Sequence, residues 1–477
     1  MPSPSVTPGR AAARGRLDAF FQISERGSTF GREVRGGFAT FFTMAYILVL
    51  NPIILGGAQD MNGNQLSVEQ LVTVTALVAA IMTALMGITA NVPLALAAGL
   101  GINAMVAYQI APRMTWPEAM GLVVIEGVIL CVLSATGLRE AVMNAIPMGL
   151  KQAIGVGIGL FIALIGFVDA GFTVGHEMSP PLSLGPGGEL TGWPLLVFCL
   201  GLLLTLALLA RKVKGGILIS IVAMTVVAII VNAIADIEDS AWGLTAPKMP
   251  DDLVAAPDFG LVGEFSLFGA FGEISFITVV LIIFTLFLTD FFDTMGTAVG
   301  VTSEAGLLDE KGRVPRLGRL LFVDGLAAAA GGAASASSNT SYIESAAGVG
   351  EGARTGFANL VTGGLFALAL FLSPLAAVVP AQAAAPALVA VGFLMMAQVG
   401  RIDWTDTSLA IPAFITIAVM PFTYSITNGI GAGFIAYVVL KVVLGRTREI
   451  TWLLWVTAAL FVVYFGIDPV EQLLGVE

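Results

Sequence analysis

Carboxylates stand in this chain where apolar sequence should exclude them. Phe287-Leu-Thr-Asp290-Phe-Phe-Asp293-Thr294-Met-Gly-Thr297 lies inside a long apolar run. Asp290, Thr294 and Thr297 recur at i, i+4 and i+7, so a helix puts them on one face. Asp293 falls about a sixth of a turn from that face. A bare carboxylate at the centre of a bilayer costs at least ~2.5 kcal/mol, so each must be protonated, paired or turned toward water. A second group, Asn339-Thr340-Ser-Tyr-Ile-Glu344-Ser345, sits in a small-residue stretch between apolar runs. Asn, Thr and Ser ahead of such a stretch form an N-cap pattern. An extended entry followed by a half-helix would aim N–H groups and the positive dipole end at a ligand. Glu344 then sits at the cavity wall in the first turn. The third group is Gly99-Leu-Gly101-Ile-Asn103-Ala, entered through Pro93. Asn103 can donate and accept hydrogen bonds where the other half offers Glu344. An amide on one side and carboxyls on the other suit a flat heterocycle edged with N–H, N and C=O groups. The same residues also admit plainer readings: a helix cap for Glu344, braces for Asp290 and Asp293, and small-residue packing around Gly101. Glu126, Asp324, Tyr46 and Asn51 are further polar residues in apolar runs, with bracing and substrate roles both open.

The elements that must hold these groups are membrane helices. The chain has 477 residues, 57% hydrophobic and only 12% charged, with a mean hydropathy of +0.92; soluble chains are about 25% charged. The 56 glycines suit close helix packing. The net charge of −11, with basic residues confined to short loops, excludes a nucleic-acid partner. Cys131 and Cys199 lie in apolar runs and read as small buried hydrophobes. The one histidine, His176, is in a polar loop beside Glu177, which argues against a histidine metal centre; no metal and no cofactor are expected. Met1–Arg35 is polar and arginine-bearing, without the apolar stretch of a cleavable signal. Gly155-Val-Gly157-Ile-Gly159 lacks a preceding strand and a phosphate-binding lysine motif, so it reads as helix packing.

Fourteen segments are expected: 37–56, 71–90, a short 93–110, 119–137, 147–168, 193–210, 215–234, 274–299, 317–332, a short 335–350, 355–372, 384–398, 407–422 and 428–444. A further apolar stretch, 451–465, is short enough to lie on the membrane. Basic residues favour the cytoplasmic side. Arg10, Arg14, Arg16, Arg26, Arg32 and Arg35 precede the first segment. Arg139, Lys151, Arg211, Lys212, Lys214, Lys311, Arg313, Arg316, Arg319, Arg446 and Arg448 follow on the same side by the count of crossings. Both termini are then cytoplasmic, and 309–319 is a solvated loop near lipid headgroups. Aligning Pro147 with Pro380 also aligns Gly159 with Gly392. Seven spans per half is odd, so the halves must be inverted, and paired interrupted segments in inverted halves point to the binding site. The fold class is all-α and polytopic: two inverted seven-span repeats, interrupted at segments 3 and 10.

Five stretches resemble one family. They are Phe41-Phe-Thr-Met-Ala-Tyr-Ile-Leu-Val-Leu-Asn-Pro52, Ala98-Gly-Leu-Gly-Ile-Asn103, Thr136-Gly-Leu-Arg139, Asp290-Phe-Phe-Asp-Thr-Met-Gly-Thr297 and Thr340-Ser-Tyr-Ile-Glu-Ser-Ala-Ala-Gly348. In this order, across nearly the whole chain, they resemble the adenine/guanine/hypoxanthine branch of the xanthine/uracil permease superfamily. That branch carries the Asp-x-x-Asp-Thr pattern where its uracil relatives carry Glu and His. The resemblance implies a core domain (37–137 and 274–373) and a gate domain (147–235 and 384–444). These are flanked by a cytoplasmic segment, 1–36, and a C-terminal segment, 445–477. It implies proton-coupled purine uptake through a bacterial cytoplasmic membrane, with a homodimer formed through the gate and lipid around it. Substrate contacts carry over to Asn103, Asp290 and Glu344, with Gly101, Thr294, Thr340 and Ser345 beside them. Proton coupling falls to Glu344, Asp290, Asp293, Asp324 and Glu126. An anion or other small-solute carrier of the same seven-plus-seven plan is the main rival, although carboxylates at the site would repel an anion. No repeated filter or charged ring suggests a channel. No nucleophile–base pair suggests an enzyme.

Overall fold

In lipid, backbone groups have no partners except one another, so long apolar runs coil into helices. The computed structural model describes residues 15–136, 146–175, 181–250, 252–309 and 313–466. Arg10, Arg14, Arg139, His176, Glu177 and Lys311 lie outside the described residues. Among those described, ten helices are long and apolar enough to cross a membrane. They are span 1 (Phe30–Gly57), span 2 (Val68–Thr89), span 4 (Trp116–Thr136), span 5 (Met148–Asp169), span 6 (Trp193–Ala210) and span 7 (Gly216–Ala235) in the first half. Span 8 (Phe276–Glu304), span 11 (Phe357–Ala377), span 12 (Ala381–Arg401) and span 14 (Ile426–Val443) belong to the second. Span 9 (Leu317–Ala333) and span 13 (Thr407–Phe422) are shorter. The two remaining positions are broken helices, which is why fourteen segments yield ten long helices. Ser67, Ser275, Asp406 and Ser425 cap spans 2, 8, 13 and 14, each accepting a bond from a backbone N–H of the first turn.

The broken segments are built alike. In segment 3, strand β1 (Leu96–Ala98) leads into a helix, Leu100–Met105, that ends in a π-helical turn, Val106–Ile110. A small hairpin, β2 (Thr173–Gly175) with β3 (Leu182–Leu184), follows span 5. In segment 10, strand β4 (Asn339–Ser341) leads into the helix Ser345–Gly350. β1 and β4 pair antiparallel, Leu96 with Ser341, Ala97 with Thr340 and Ala98 with Asn339, and all six residues are buried. The ladder satisfies backbone groups that two interrupted helices would otherwise leave bare. Its small side chains let two chains cross where helices could not.

Helix packing separates into two groups. Spans 4 and 9, 2 and 11, and 1 and 11 pack together, with segment 10 against span 1. Spans 5 and 12, 5 and 13, 13 and 14, 6 and 12, and 6 and 7 form the other group. Spans 5 and 12 meet at Gly159 and Gly392, where a Cβ on either would lie 2.7 or 2.4 Å from the other's carbonyl oxygen. Gly157 packs on Met420 in the same way, so the glycine run of span 5 is a packing surface. Cys131 and Cys199 are half-buried free thiols, more exposed than their apolar setting suggests. The stretch after span 14 forms a helix, Trp452–Phe465, packed on spans 14 and 8 with Phe461 buried over Gly431. At fourteen residues it is about 21 Å long, short of a ~30 Å hydrocarbon core.

Candidate functional site

A cavity of about 620 Å³ opens between the two helix groups. Its walls come from span 1, the starts of the segment 3 and segment 10 half-helices, and spans 5, 8 and 12. Lys151 in the first turn of span 5 and Arg401 at the end of span 12 line it, so it reaches the side where those helix ends lie.

The expected residues divide sharply. Glu344, Thr340, Gly101 and Asp293 line the cavity. Asp290, Asn103, Thr294, Ser345, Asp324 and Glu126 do not, and each is at most 1% exposed. One helix explains much of the split. Asp290 turns toward Ser338 and Glu126 of span 4, and Thr294 toward span 9 and β4, where it donates to Asp324 at 2.7 Å and lies 2.7 Å from the Thr340 hydroxyl. Asp293 and Thr297, four residues apart on the adjacent face, look into the cavity. The sixth of a turn that set Asp293 aside is the angle that brings it to the site.

Glu344 precedes its half-helix at the N-cap position, but its side chain makes no capping bond. It accepts a hydrogen bond from the Tyr46 hydroxyl instead. Its carbonyl accepts from Thr43 at 3.3 Å. The Asn339–Ser341 stretch, expected as a cap, is strand because its backbone pairs with β1. Tyr342 then turns out of the strand and donates to the Ala98 carbonyl at 2.6 Å, tying the two crossing segments together.

Asn103 does not reach the cavity. Ala97 and Thr340 form the central pair of the ladder. Four residues beyond each come Gly101 and Glu344, and both of these line the cavity. Asn103 points away from the cavity and donates to Asn51 at 2.6 Å. Asn51 in turn donates to Thr75 at 2.7 Å and to the Ala336 carbonyl at 3.2 Å. Ser345 is likewise structural: its hydroxyl accepts from the Ala95 N–H at 3.0 Å. Behind β4, the Ser338 hydroxyl lies 3.1 Å from Asp290 Oδ2 and 3.4 Å from Glu126 Oε2. Asp324 accepts from Ser341 at 2.9 Å.

Several lining residues escaped sequence reasoning. Tyr342 and Thr43 carried no signal beyond their neighbours, since strand register decides their direction. Lys151 did carry one: a lysine one turn inside an apolar helix, set 5.1 Å from the centre of the Phe292 ring.

A polytopic helical protein with two broken helices meeting at a cavity between two helix groups has the form of a membrane transporter. The Permease family, Xan_ur_permease, matches residues 31–432, and the chain belongs to it. It is 37% identical over 455 residues to "Adenine permease AdeP" of Escherichia coli (strain K12), covering 95% of this chain and 96% of the relative. It is 38% identical over 455 residues to "Guanine/hypoxanthine permease PbuG" of Bacillus subtilis (strain 168), covering 94% and 99%. The transmembrane domain of a cyanobacterium bicarbonate transporter, BicA, has the same fold. Its TM-score is 0.60 at 15% identity, over 83% of this chain and 97% of that one. The chain is an integral membrane transporter with inverted repeats, not an enzyme.

Proposed function

We propose that this protein carries purine nucleobases inward across a bacterial cytoplasmic membrane together with protons, by alternating access. The observation that carries the reading is the cavity wall. Glu344 stands at the start of a half-helix, with Thr340 before it on the crossing strand and Asp293 and Thr297 on span 8. Hydroxyls and carboxyls on one wall can meet the N–H, N and C=O edges of a purine, and apolar residues such as Phe292 and Ile158 can cover its faces. The names of the relatives AdeP and PbuG support the substrate class.

Spans 1–4 and 8–11 act as a core and spans 5–7 and 12–14 as a gate, with the site between them and a homodimer formed through the gate within the lipid. Glu344, Asp293 and Thr340 meet the base, with Gly101 opposite. Asn103, Asp290, Thr294 and Ser345 hold the crossing in shape from behind. The coupled proton binds among Glu344, Asp290, Asp293, Asp324 and Glu126, the carboxyls that line the cavity or lie buried behind its wall. Lys151 and Arg401 mark the cytoplasmic side under the positive-inside rule, with both termini on that side, so the cavity is open inward.

Uptake of radiolabelled hypoxanthine, guanine, adenine and uracil into transporter-deficient cells tests this directly. Purine uptake abolished by a protonophore, with uracil excluded, is expected. No nucleobase uptake by verified membrane-inserted protein overturns it and brings forward an anion substrate, as in the bicarbonate transporter of like fold.

A further inference from the structure

The carboxyls behind the crossing pose a problem of charge. Glu126 and Asp290 are fully buried, and a single hydroxyl, that of Ser338, lies 3.4 Å from one and 3.1 Å from the other. Ser338 bridges them, yet one hydroxyl has one proton and serves one carboxyl at a time. Glu126 Oε1 and Asp290 Oδ1 have no other partner. The third carboxyl, Asp324, takes both its bonds from hydroxyls, Thr294 and Ser341. Asp293 and Glu344 face the cavity on the other side. Among the described residues no Lys or Arg forms an ion pair with any of the five. The described acidic, histidine and cysteine residues also include no set placed as metal ligands. Two touching carboxylates without a counter-charge cannot both ionise. The missing partner is a proton shared between them.

We propose that the Glu126–Asp290 pair is the proton-binding site of the transport cycle and that the Thr340 hydroxyl connects it to the cavity. This rests on the reading of the chain as a proton-coupled purine carrier, and it separates the proton's site from the purine's. Thr340 lines the cavity on one side, and on the other its hydroxyl lies 2.7 Å from that of Thr294, one helical turn beyond Asp290 on span 8. Loading is balanced by simple transfer: Thr340 gives its hydroxyl proton to the ionised pair and takes one from cavity water. Unloading reverses both steps. A base seated over Thr340 excludes that water and closes this route from the cavity. The stored proton then crosses with the base, which is the coupling.

The test uses the full chain reconstituted in vesicles. For one coupled proton, an imposed gradient of one pH unit drives about tenfold purine accumulation in the wild type. Glu126→Gln keeps the hydrogen bond to Asp290 but cannot release a proton. It is expected to lose gradient-driven accumulation and purine-evoked proton movement while purine counterflow persists. Undiminished accumulation by Glu126→Gln overturns the assignment. Should that variant fail to insert, Ser338→Ala keeps both carboxyls and is expected to shift the pH midpoint of uptake without moving the KM for counterflow. An unmoved midpoint overturns it equally. Absence of purine counterflow in the wild type is a different failure, that of the purine reading itself. Thr340→Val is expected to slow proton movement, and Thr340→Ser to restore it.

Discussion

Glu344 is steadied by a hydroxyl where a cation would have matched its charge. Tyr46 is fully buried, and its O–H has no other acceptor in reach among the hydrogen bonds of the site. A hydrogen bond to a charged group contributes ~1.5–3 kcal/mol, so Tyr46→Phe should weaken purine affinity by about tenfold or more through loss of carboxylate orientation. Competition of unlabelled purine against labelled purine in membranes measures this. Unchanged affinity would mean that Glu344 does not need Tyr46 to meet its ligand. Gly101 lines the same cavity beside span 5. A Cβ there would stand 2.7 Å from the Ile158 Cγ2 methyl on span 5. Gly101→Ala should therefore reduce uptake, and Ile158→Ala on the same background should restore part of it. Contacting residues couple by ~0.5–3 kcal/mol, so rescue is measurable, and strict additivity of the two losses would rule out the contact as the cause.

At the level of elements, the glycines of span 5 explain how two inverted halves meet. Gly159 and Gly392 each approach the other's backbone too closely for a side chain. Gly159→Leu should push spans 5 and 12 apart, and overpacking of this kind costs ~1–3 kcal/mol. A lowered melting temperature of the detergent-solubilised protein is the expected readout; an unchanged one would place the helix contact elsewhere. This pairing was legible in the sequence because Pro147 aligns with Pro380 and carries Gly159 onto Gly392. The broken segments were legible too, since Pro93 and the serine-rich 335–341 stretch cannot read as plain spans. Their strand ladder was not. Three residues per strand are too few to show alternation, and only the folded crossing tells that Gly101, and not Asn103, lines the cavity. For the same reason the spacing of Asp290, Thr294 and Thr297 suggested one shared face, whereas Thr297 looks into the cavity and Asp290 and Thr294 lie behind it. The helix turns Asp290 toward span 4 and Thr294 toward span 9, and nothing local to span 8 says where those spans will pack.

For the whole molecule, the proposed alternating access requires that the end opposite the cavity mouth be closed by contacts that can open. That end holds a cluster built from three elements. The π-helical turn of segment 3 presents Tyr108 and Gln109 together, as an extra residue in a helical turn can do. Gln109 Oε1 accepts from the Ser425 hydroxyl and the Ile426 N–H, both at 3.1 Å, at the start of span 14. Tyr108 donates to Asp169 at the end of span 5, at 3.3 Å to the nearer oxygen. The rings of Tyr108 and Phe161 both pack edge-on against Tyr424. Segment 3 belongs to one helix group and spans 5 and 14 to the other, so under the proposed cycle these bonds part when that end opens. Gln109→Leu removes two of them. Each is worth ~0.5–1.5 kcal/mol net, so the equilibrium between inward-open and outward-open forms should move toward the outward form by about fivefold or more. With Cys131 and Cys199 replaced by alanine, a Thr297→Cys thiol in the cavity reports the shift to a membrane-impermeant reagent. Faster labelling from outside and slower labelling from inside are expected when Gln109→Leu is added. Equal rates on both backgrounds would show that the cluster braces the fold without holding the outer side shut, and the closing contact would then have to lie among the apolar residues around Phe161.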